Sequence, residues 1–219
     1  MSHTNYTVFS ALNKENILKS GVEIEYHPLH PFLPDNCKVL FLGSFPPQRK
    51  RWCMDFYYPN YINDHWRIAG VIFFGDKDYF VDVHRKTFRL ERIIPFLLEK
   101  GIGYYDTNEA VRRLRDNASD KYLETIIETD VWALLQRVPN CRAIVTTGEK
   151  ATKTLCEHLG IHEIPQVGQY VPISDCLNLK NSLRLYRLPS SSRAYPLSLE
   201  KKVVAYRSMF EDLGMVHTE

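Results

Sequence analysis

Three stretches of the 219-residue chain bring together side chains that could bind a charged or aromatic ligand. The first covers residues 43–66 and reads "GSFPPQRKRWCMDFYYPNYINDHW". Gly43 permits a sharp turn and lets a ligand come close to the backbone. Pro46 and Pro47 stiffen the chain that follows. The beginning of this stretch is therefore suited to a tight, fixed loop against a ligand.

The remainder of the first stretch supplies charge, aromatic rings and a carboxamide. Arg49, Lys50 and Arg51 could contact phosphates. Tyr58 could stack on a nucleobase, because every base offers a π-face. The carboxamide of Asn63 has a donor and an acceptor, which suffice to orient a water or to read a base edge. Taken alone, the stretch also fits a surface loop whose basic residues are solvated and whose aromatic residues pack into the core.

The second stretch covers residues 188–202 and reads "LPSSSRAYPLSLEKK". It places Ser190, Ser191, Ser192 and Arg193 between a predicted strand and a predicted helix. Backbone N–H groups at the start of that helix could bind a phosphate. The arginine could reach into the space that a displaced base leaves. An ordinary serine-rich helix cap explains the same residues, and both interpretations remain open.

The third stretch covers residues 104–120, "YYDTNEAVRRLRDNASD". Asp106 and Asn108 follow directly on a predicted strand and are candidates for a binding pocket. Arg112, Arg113 and Arg115 could contact a DNA backbone. The alternative is a polar loop followed by the solvated basic face of a helix.

The elements that would position these residues alternate between strand and helix. Apolar runs predict buried parallel strands at residues 38–44, 101–107, 142–148 and 182–190. Helical spacing predicts helices at residues 63–74, 88–100, 119–138, 149–159 and 198–213. Residues 163–181 are predicted to be irregular. The alternation predicts an α/β fold, a three-layer α/β/α sandwich with a central four-stranded parallel sheet.

In such sheets ligands bind beyond the carboxyl ends of the strands, where the strand order reverses. The candidate side chains above all follow predicted strands, so we expect them to converge at one edge. We predict a single domain over residues 1–219, with an N-terminal helix and arm in residues 1–37 and the core in residues 38–213.

Composition restricts the class of protein. The hydrophobic fraction of 44% and the charged fraction of 25% are ordinary for a soluble globular domain. Net charge is only +2, so any nucleic-acid surface must be a local patch. The five cysteines form no C-x-x-C pair, which favours a reducing compartment. With no signal-peptide pattern and no long apolar run, we expect a cytoplasmic monomer without membrane contact.

Several common chemistries lack their sequence patterns. The chain has no G-x-x-x-x-G-K-[ST] loop and no G-x-G-x-x-G loop, so it is not predicted to bind nucleotides through those loops. Cys156, His158 and His162 are metal-ligand types, but their spacing fits no zinc site. The G-x-S-x-G turn of serine hydrolases is also missing. We therefore predict no metal and no cofactor.

The first and second stretches resemble the two paired motifs of the uracil-DNA glycosylase superfamily. "LGSFPP…R…FYYPNYINDHW" resembles its first motif, and "LPSSSRAYPLSLEKK" resembles the loop that penetrates DNA after the last strand. The similarity extends over about residues 38–213 and is greatest to the hypoxanthine-DNA glycosylase-like branch. The patterns of that branch are L-G-[ST]-[FL]-P-S, F-Y-Y-G-H-P-x-N-R-F-W and L-P-S-[ST]-S-P-A-N-A.

The resemblance implies the same α/β/α fold and a role in base excision repair. The implied reaction is hydrolysis of the N-glycosidic bond of a damaged base flipped out of DNA, without metal or cofactor. Gly43, Ser44 and Phe45 would line the base pocket with their backbone. Asp106 and Asn108 are predicted to lie in the same pocket because they follow the neighbouring strand. Tyr58 would stack on the flipped base. The resemblance places residues 190–193 on the DNA strand.

The departures from the superfamily pattern determine which residue is predicted to be catalytic. Many members carry Asp or Asn two positions after the first motif glycine, where it activates water, but Phe45 occupies that position here. In the hypoxanthine-like branch the polar role moves to the asparagine of N-R-F-W, which matches Asn63. Pro59, Asn60 and Tyr61 replace Gly-His-Pro, and the second motif also lacks a histidine.

These residues predict a monofunctional DNA glycosylase that removes hypoxanthine, xanthine or uracil, with Asn63 as the catalytic residue. One alternative is a non-catalytic DNA-binding protein on the glycosylase fold. Another is a domain that binds a free nucleobase or nucleotide.

Overall fold

The computed structural model describes residues 23–114, 120–173 and 182–217. Its strands are β1 (Ile24–Tyr26), β2 (Val39–Gly43), β3 (Val81–Asp82), β4 (Thr87–Phe88), β5 (Ile102–Asp106), β6 (Asn108–Arg113), β7 (Leu123–Glu128), β8 (Ala143–Thr147), β9 (Gln169–Ile173) and β10 (Leu183–Leu188). Its α-helices are α1 (His65–Phe74), α2 (Leu90–Lys100), α3 (Val131–Arg137), α4 (Glu149–Leu159) and α5 (Leu199–Asp212).

The central sheet has five strands in the order β5-β2-β8-β10-β9. The four strands predicted from the sequence are all present and run parallel to one another. They are apolar along most of their length, as strands covered on both faces must be. The mixed α/β class with a mostly parallel sheet is confirmed, and a fifth strand, β9, is added antiparallel to β10 at one edge.

Side-chain contacts place helices on both faces of this sheet. The ring of Phe41 in β2 contacts His65 of α1 and Tyr206 of α5, so these two helices share one face. Thr146 of β8 points to the opposite face, because its neighbour Val145 is the register partner of Phe41. The hydroxyl of Thr146 lies 2.9 Å from that of Thr152 in α4, which places α4 on the second face.

The predicted helix over residues 119–138 is wrong in its first half. A 3-10 turn (Asp120–Tyr122) and strand β7 occupy that part, and α3 begins only at Val131. β7 contains Thr125, Ile126 and Ile127, whose branched side chains favour strands. Asp130 then starts α3, since its side chain accepts a hydrogen bond from the Ala133 N–H at 2.9 Å.

A second sheet, antiparallel and ordered β1-β6-β7, was not predicted from the sequence. It contains Arg112 and Arg113, which are buried and form ion pairs with Glu124 and Glu25, each at 2.8 Å. Their predicted contact with a DNA backbone is therefore wrong, because the guanidinium groups are engaged inside the protein. Arg115 lies outside the described residues.

The remaining differences from the prediction concern residues near the chain start and before the last strand. Residues 163–181 were predicted to be irregular, but residues 169–173 form β9. Residues 174–181 and residues 1–22, where the N-terminal helix was predicted, lie outside the described residues. Across residues 23–114, 120–173 and 182–217, no helix is both long and apolar enough to cross a membrane.

Candidate nucleic-acid interface and base pocket

The candidate site lies at the carboxyl ends of the parallel strands. From β2 the chain goes to β5 on one side and later returns to β8 on the other, so the strand order reverses beside β2. Such a reversal opens a crevice at the carboxyl edge of the sheet. The residues that follow β2, β5 and β8 are therefore the walls of this crevice.

Gly43 and Asp106 are register partners at the ends of β2 and β5. A Cβ atom at Gly43 would collide with the Asp106 carboxylate, so only glycine allows the carboxylate to lie over this point of the backbone. The side chain of Asp106 is 10% exposed. The first motif glycine is thus needed for the close approach of a side chain, in addition to any approach of a ligand.

His27 follows β1 and holds the second oxygen of Asp106. Its Nε2 lies 2.9 Å from Asp106 Oδ2, and the imidazole is only 2% exposed. The imidazole ring packs edge-on to Phe45 and against Tyr105. The antiparallel sheet therefore places a histidine at the carboxyl edge of the main sheet, where no histidine was predicted.

Ser44, Asn108 and Asp120 form the next part of the crevice. Asn108 donates from Nδ2 to the Ser44 carbonyl oxygen at 2.7 Å and is fully buried. The Ser44 hydroxyl hydrogen-bonds the carboxyl of Asp120. Burial raises the pKa of Asp120, and the nearby charge of Asp106 raises it further. Asp106 and Asp120 are thus two carboxyl groups in different environments beside the same strand end.

Phe45 points away from the crevice. Its ring is buried and packs with Val111 and Leu123 of the second sheet. Only the backbone of this residue is available to line a pocket, as the resemblance implied.

Tyr58 forms a wall of the crevice and has a strained backbone. Its φ of 51° lies in the left-handed region, which non-glycine residues seldom adopt. The ring stacks on His65 with a centroid separation of 3.7 Å and an interplanar angle of 8°. Its hydroxyl lies 2.8 Å from Thr147 Oγ1 at the end of β8. One face of the ring is therefore covered, and only the other could stack on a base.

His65 lies beneath Tyr58 as a neutral base. Its Nε2 lies 2.7 Å from the hydroxyl of Tyr104, and burial lowers the pKa of the imidazole to about 3. The group therefore stays uncharged at neutral pH and acts as a rigid support for the Tyr58 ring.

Asn63 begins the turn into α1. Its Oδ1 accepts a hydrogen bond from the His65 N–H at 2.9 Å. This bond occupies the acceptor of the carboxamide and leaves the Nδ2 donor for other partners. The side chain is half-buried.

A buried ionic cluster joins the first and second stretches. Asp64 is bonded to Arg193 Nε at 2.9 Å and to Lys202 Nζ at 3.1 Å. Lys202 also donates to the Ser192 carbonyl oxygen at 2.9 Å, and the Asp64 N–H donates to the Ser191 carbonyl oxygen at 3.0 Å. Through this cluster the loop after β10 is held next to Asn63.

Each of the four residues predicted to press on DNA has a partner within the protein, and for the Ser191 hydroxyl this partner is Tyr206 of α5. Ser190 Oγ accepts from the Ser192 N–H at 3.3 Å, and Ser192 Oγ accepts from the Ala194 N–H at 3.2 Å. Ser191 is buried. Arg193 binds Asp64 yet keeps about half of its side chain exposed. The hydroxyls thus shape the loop and attach it to α5, and the arginine is the member that can also reach outward.

The basic residues Arg49, Lys50 and Arg51 form an exposed 3-10 turn. Arg49 pairs with Asp55 at 2.8 Å in a largely exposed ion pair and lies 4.3 Å above the ring of Trp52. The turn is at the surface, where phosphate contact is feasible.

The structure thus brings Gly43, Ser44, Asp106 and Asn108 together and places Asn63 beside the loop after β10. Sequence reasoning missed His27, Asp64, His65, Asp120 and Lys202. Only Asp64 could have been found from the sequence. Asp64 occupies the position of the arginine in the N-R-F-W pattern of the hypoxanthine-like branch. Arg193 occupies the position of the second proline in the L-P-S-[ST]-S-P-A-N-A pattern, so an acid and an arginine replace residues of the pattern together. Within the described parts of the chain no group of three or more His, Cys, Asp or Glu residues could hold a metal.

Comparison with known proteins identifies the class of fold. The structure matches the solution structure of a "putative uracil DNA glycosylase" from Methanosarcina acetivorans with a TM-score of 0.56. The match covers 88% of this chain and 99% of that one, at 23% sequence identity. At this identity the likeness shows a shared fold. No protein-family profile and no curated protein sequence matches the chain.

Proposed function

We propose that the protein is a monofunctional DNA glycosylase that hydrolyses the N-glycosidic bond of a deaminated base. One observation supports the proposal: the Tyr58 hydroxyl contacts Thr147 at the end of β8, and the loop after β10 is hydrogen-bonded to Asp64, next to Asn63, at the same carboxyl edge of the sheet that carries Ser44 and Asp106. These are the parts that a flipped-base reaction requires, namely a stacking ring, a polar group for the sugar, a pocket and a loop to replace the base.

Each of these parts has a role in the proposed hydrolysis of the N-glycosidic bond. In this proposal a base that leaves the helix stacks on the face of Tyr58 opposite His65, which supports the ring from behind. The backbone of residues 43–45 and the side chain of Asp106 line the pocket, and the buried Asn108 holds the Ser44 carbonyl from behind. Bond cleavage gives the sugar oxocarbenium character, so fixed polar groups near the sugar lower the barrier. In this proposal the Nδ2 donor of Asn63 is the polar group that serves the sugar.

The loop at residues 190–193 fills the place of the extruded base. Its position relative to Asn63 is fixed by the Asp64–Lys202 pair, so both halves of the interface meet the DNA as one surface. Arg193 is the side chain that leaves Asp64 most readily, because it is half exposed. The basic turn at Arg49–Arg51 would add phosphate contacts.

A panel of duplexes tests the proposal. Purified protein is incubated with DNA that carries uracil, hypoxanthine or xanthine at one site, and abasic sites are revealed as strand breaks in alkali. We expect breaks at one or more of the three lesions and none in undamaged DNA. Intact strands in every duplex would overturn the proposal.

The second candidate is a DNA-binding protein without turnover. It is favoured by Phe45, which offers no group for water, and by the engagement of Asn63 Oδ1 in the turn. Salt-sensitive DNA binding together with intact strands across the panel would be its signature.

A further inference from the structure

The two oxygens of the Asp106 carboxylate have different surroundings. Oδ2 is bonded to His27 Nε2 at 2.9 Å. Oδ1 lies over Gly43, in the space that a Cβ atom would need. Among residues 23–114, 120–173 and 182–217, no donor forms a hydrogen bond with this second oxygen. A carboxylate oxygen without such a donor, on a side chain that is 10% exposed, can accept a hydrogen bond from a water molecule and then its proton.

The other polar groups at the site are less suited to accept a proton. Asn63 is a carboxamide whose oxygen is already bonded to the His65 N–H. Asp120 is bonded to Ser44, and burial raises the pKa of its carboxyl, which favours its protonated form. Burial also raises the pKa of Tyr58 and keeps its phenol neutral. Phe45 has no polar group at all.

We propose that Asp106 is the general base of the reaction and that His27 is its positioning residue. This inference rests on the proposed glycosylase function. Water forms a bond from its oxygen to C1′ of the sugar as the bond from C1′ to the base nitrogen breaks. The water proton passes to Asp106 Oδ1, and the electron pair of the broken bond leaves with the base, which later takes a proton from solvent.

His27 fixes which oxygen reacts. Its contact with Oδ2 prevents rotation of the carboxylate, and its own ring is immobilised between Phe45 and Tyr105. Tyr57 is a third aromatic neighbour of the imidazole, with ring centroids 6.3 Å apart. A group held in this manner loses little freedom when the substrate arrives, which is the advantage of a preorganised site.

The test uses single-turnover excision and duplex affinity in the full-length protein. Asp106→Asn keeps the shape of the side chain and removes its basicity. We expect the excision rate to fall by about 10²- to 10⁴-fold, the usual contribution of a general base, with affinity for lesion DNA within about threefold of the wild type. Glu109→Gln, an exposed carboxyl nearby on β6, is the matched control and should keep the wild-type rate.

His27 is tested by a conservative and a non-conservative variant. His27→Gln can place an amide donor near Oδ2, whereas His27→Leu cannot. We expect the Gln variant to retain a rate within about tenfold of the wild type and the Leu variant to lose more than the Gln variant, with unchanged DNA affinity in both. Equal rates for the two variants would show that His27 is only structural and would overturn its assignment.

Two further measurements keep the assignment of Asp106 open to refutation. If Asp106→Asn unfolds, Asp106→Ala is assayed with added formate, which should restore activity by supplying a carboxylate in the vacated space. An Asp106→Asn rate within threefold of the wild type, or a lack of formate rescue, would overturn the inference and leave the glycosylase proposal standing. If Asp106→Asn prefers a different base but excises it at the wild-type rate, the inference is also wrong. If the wild-type protein excises none of the three lesions, both this inference and the glycosylase proposal are wrong.

Discussion

At the scale of the single residue, the oxygen and the nitrogen of the Asn63 carboxamide have different roles. The oxygen of its carboxamide accepts from the His65 N–H and so starts α1. The nitrogen has no such structural duty and is the end that we assign to the substrate. A variant that keeps an acceptor but has no amide donor separates the two tasks.

We expect Asn63→Ser to retain most of the stability of the wild type, because a hydroxyl oxygen can also accept from a helix-start N–H. Asn63→Ala should lose about 1 kcal/mol, since it removes the acceptor. Excision should fall by about 100-fold or more in both variants. Thermal unfolding and single-turnover assays measure the two effects. Wild-type excision in the Ser variant would show that Asn63 acts only in the turn.

Tyr58 is the second residue whose role can be separated into parts. Tyr58→Phe loses the hydroxyl bond to Thr147 and keeps the ring, whereas Tyr58→Leu loses the ring face. We expect the Leu variant to bind lesion DNA about 10- to 100-fold more weakly, which corresponds to the usual stacking contribution of a base on an aromatic side chain. The Phe variant should bind within a few-fold of the wild type. Equal affinities for all three proteins would exclude stacking on this ring.

At the scale of elements, α1 and α5 are linked by a buried charge pair. Lys202 is almost fully inaccessible, and its ammonium is neutralised by Asp64. Removal of the acid leaves a buried positive charge without a partner, which is among the most destabilising changes that a protein can suffer.

Asp64→Asn should therefore lower the free energy of unfolding by about 3 to 5 kcal/mol, a drop of about 10 °C in Tm for a chain of this size. The double variant Asp64→Asn with Lys202→Met removes the stranded charge and should recover at least half of the loss. A double-mutant cycle by thermal unfolding measures this coupling. Additive losses would mean that the pair contributes little to the link between the helices.

The buried imidazole of His65 in α1 makes the stability of the protein depend on pH. Its pKa is about 3 in the folded protein and about 6.5 when exposed, so between these values the unfolded chain binds more protons. Falling pH therefore favours unfolding, and this one group should cost about 2 kcal/mol between pH 7 and pH 5.

The variant His65→Phe isolates that contribution. It also loses the bond to Tyr104, which should lower stability by a similar amount at both pH values. The difference in unfolding free energy between pH 7 and pH 5, measured by denaturant titration, should be about 2 kcal/mol smaller in the variant. Identical pH dependence would mean that the imidazole becomes protonated without unfolding.

At the scale of the whole molecule, the net charge of +2 is too small to attract DNA by itself. The exposed turn at Arg49–Arg51 is the local patch that could do so. Arg51 is exposed at the end of this turn. Lys100, at the end of α2, lies at the opposite, amino-terminal edge of the sheet and is a suitable control.

We expect Arg51→Gln to weaken binding to every DNA sequence and to reduce the slope of log affinity against log salt by about 0.9, the value for one lost phosphate contact. Lys100→Gln should leave the slope unchanged. Fluorescence anisotropy at several salt concentrations measures both. An unchanged slope in Arg51→Gln would identify the turn as solvated surface only.

The sequence predicted the parts of the fold whose signals are local. Each parallel strand is a short apolar run that ends in small or polar residues, and α4 was placed within a residue of its ends because Gly148 and Gly160 flank it. β6 and β7 were missed because Arg112 and Arg113 look like solvated residues in the sequence. Only distant partners, Glu124 and Glu25, allow these arginines to be buried in a strand.

The candidate site also combines residues that the sequence could predict with residues that it could not. Gly43, Tyr58 and Asn63 belong to one continuous pattern and could be found by resemblance. His27 and Asp106 are 79 positions apart, and Asp64 and Lys202 are 138 positions apart. No spacing rule relates residues that meet only after two sheets and two helices have packed.

The central claim is that the protein hydrolyses the bond between a damaged base and its sugar. The most direct test is mass spectrometry of the products formed in ¹⁸O-labelled water from a duplex with a single deaminated base. We predict release of the intact free base and one ¹⁸O atom at C1′ of the abasic sugar, with both strands unbroken before alkali. Unaltered DNA, or a product without the label at C1′, would contradict the account.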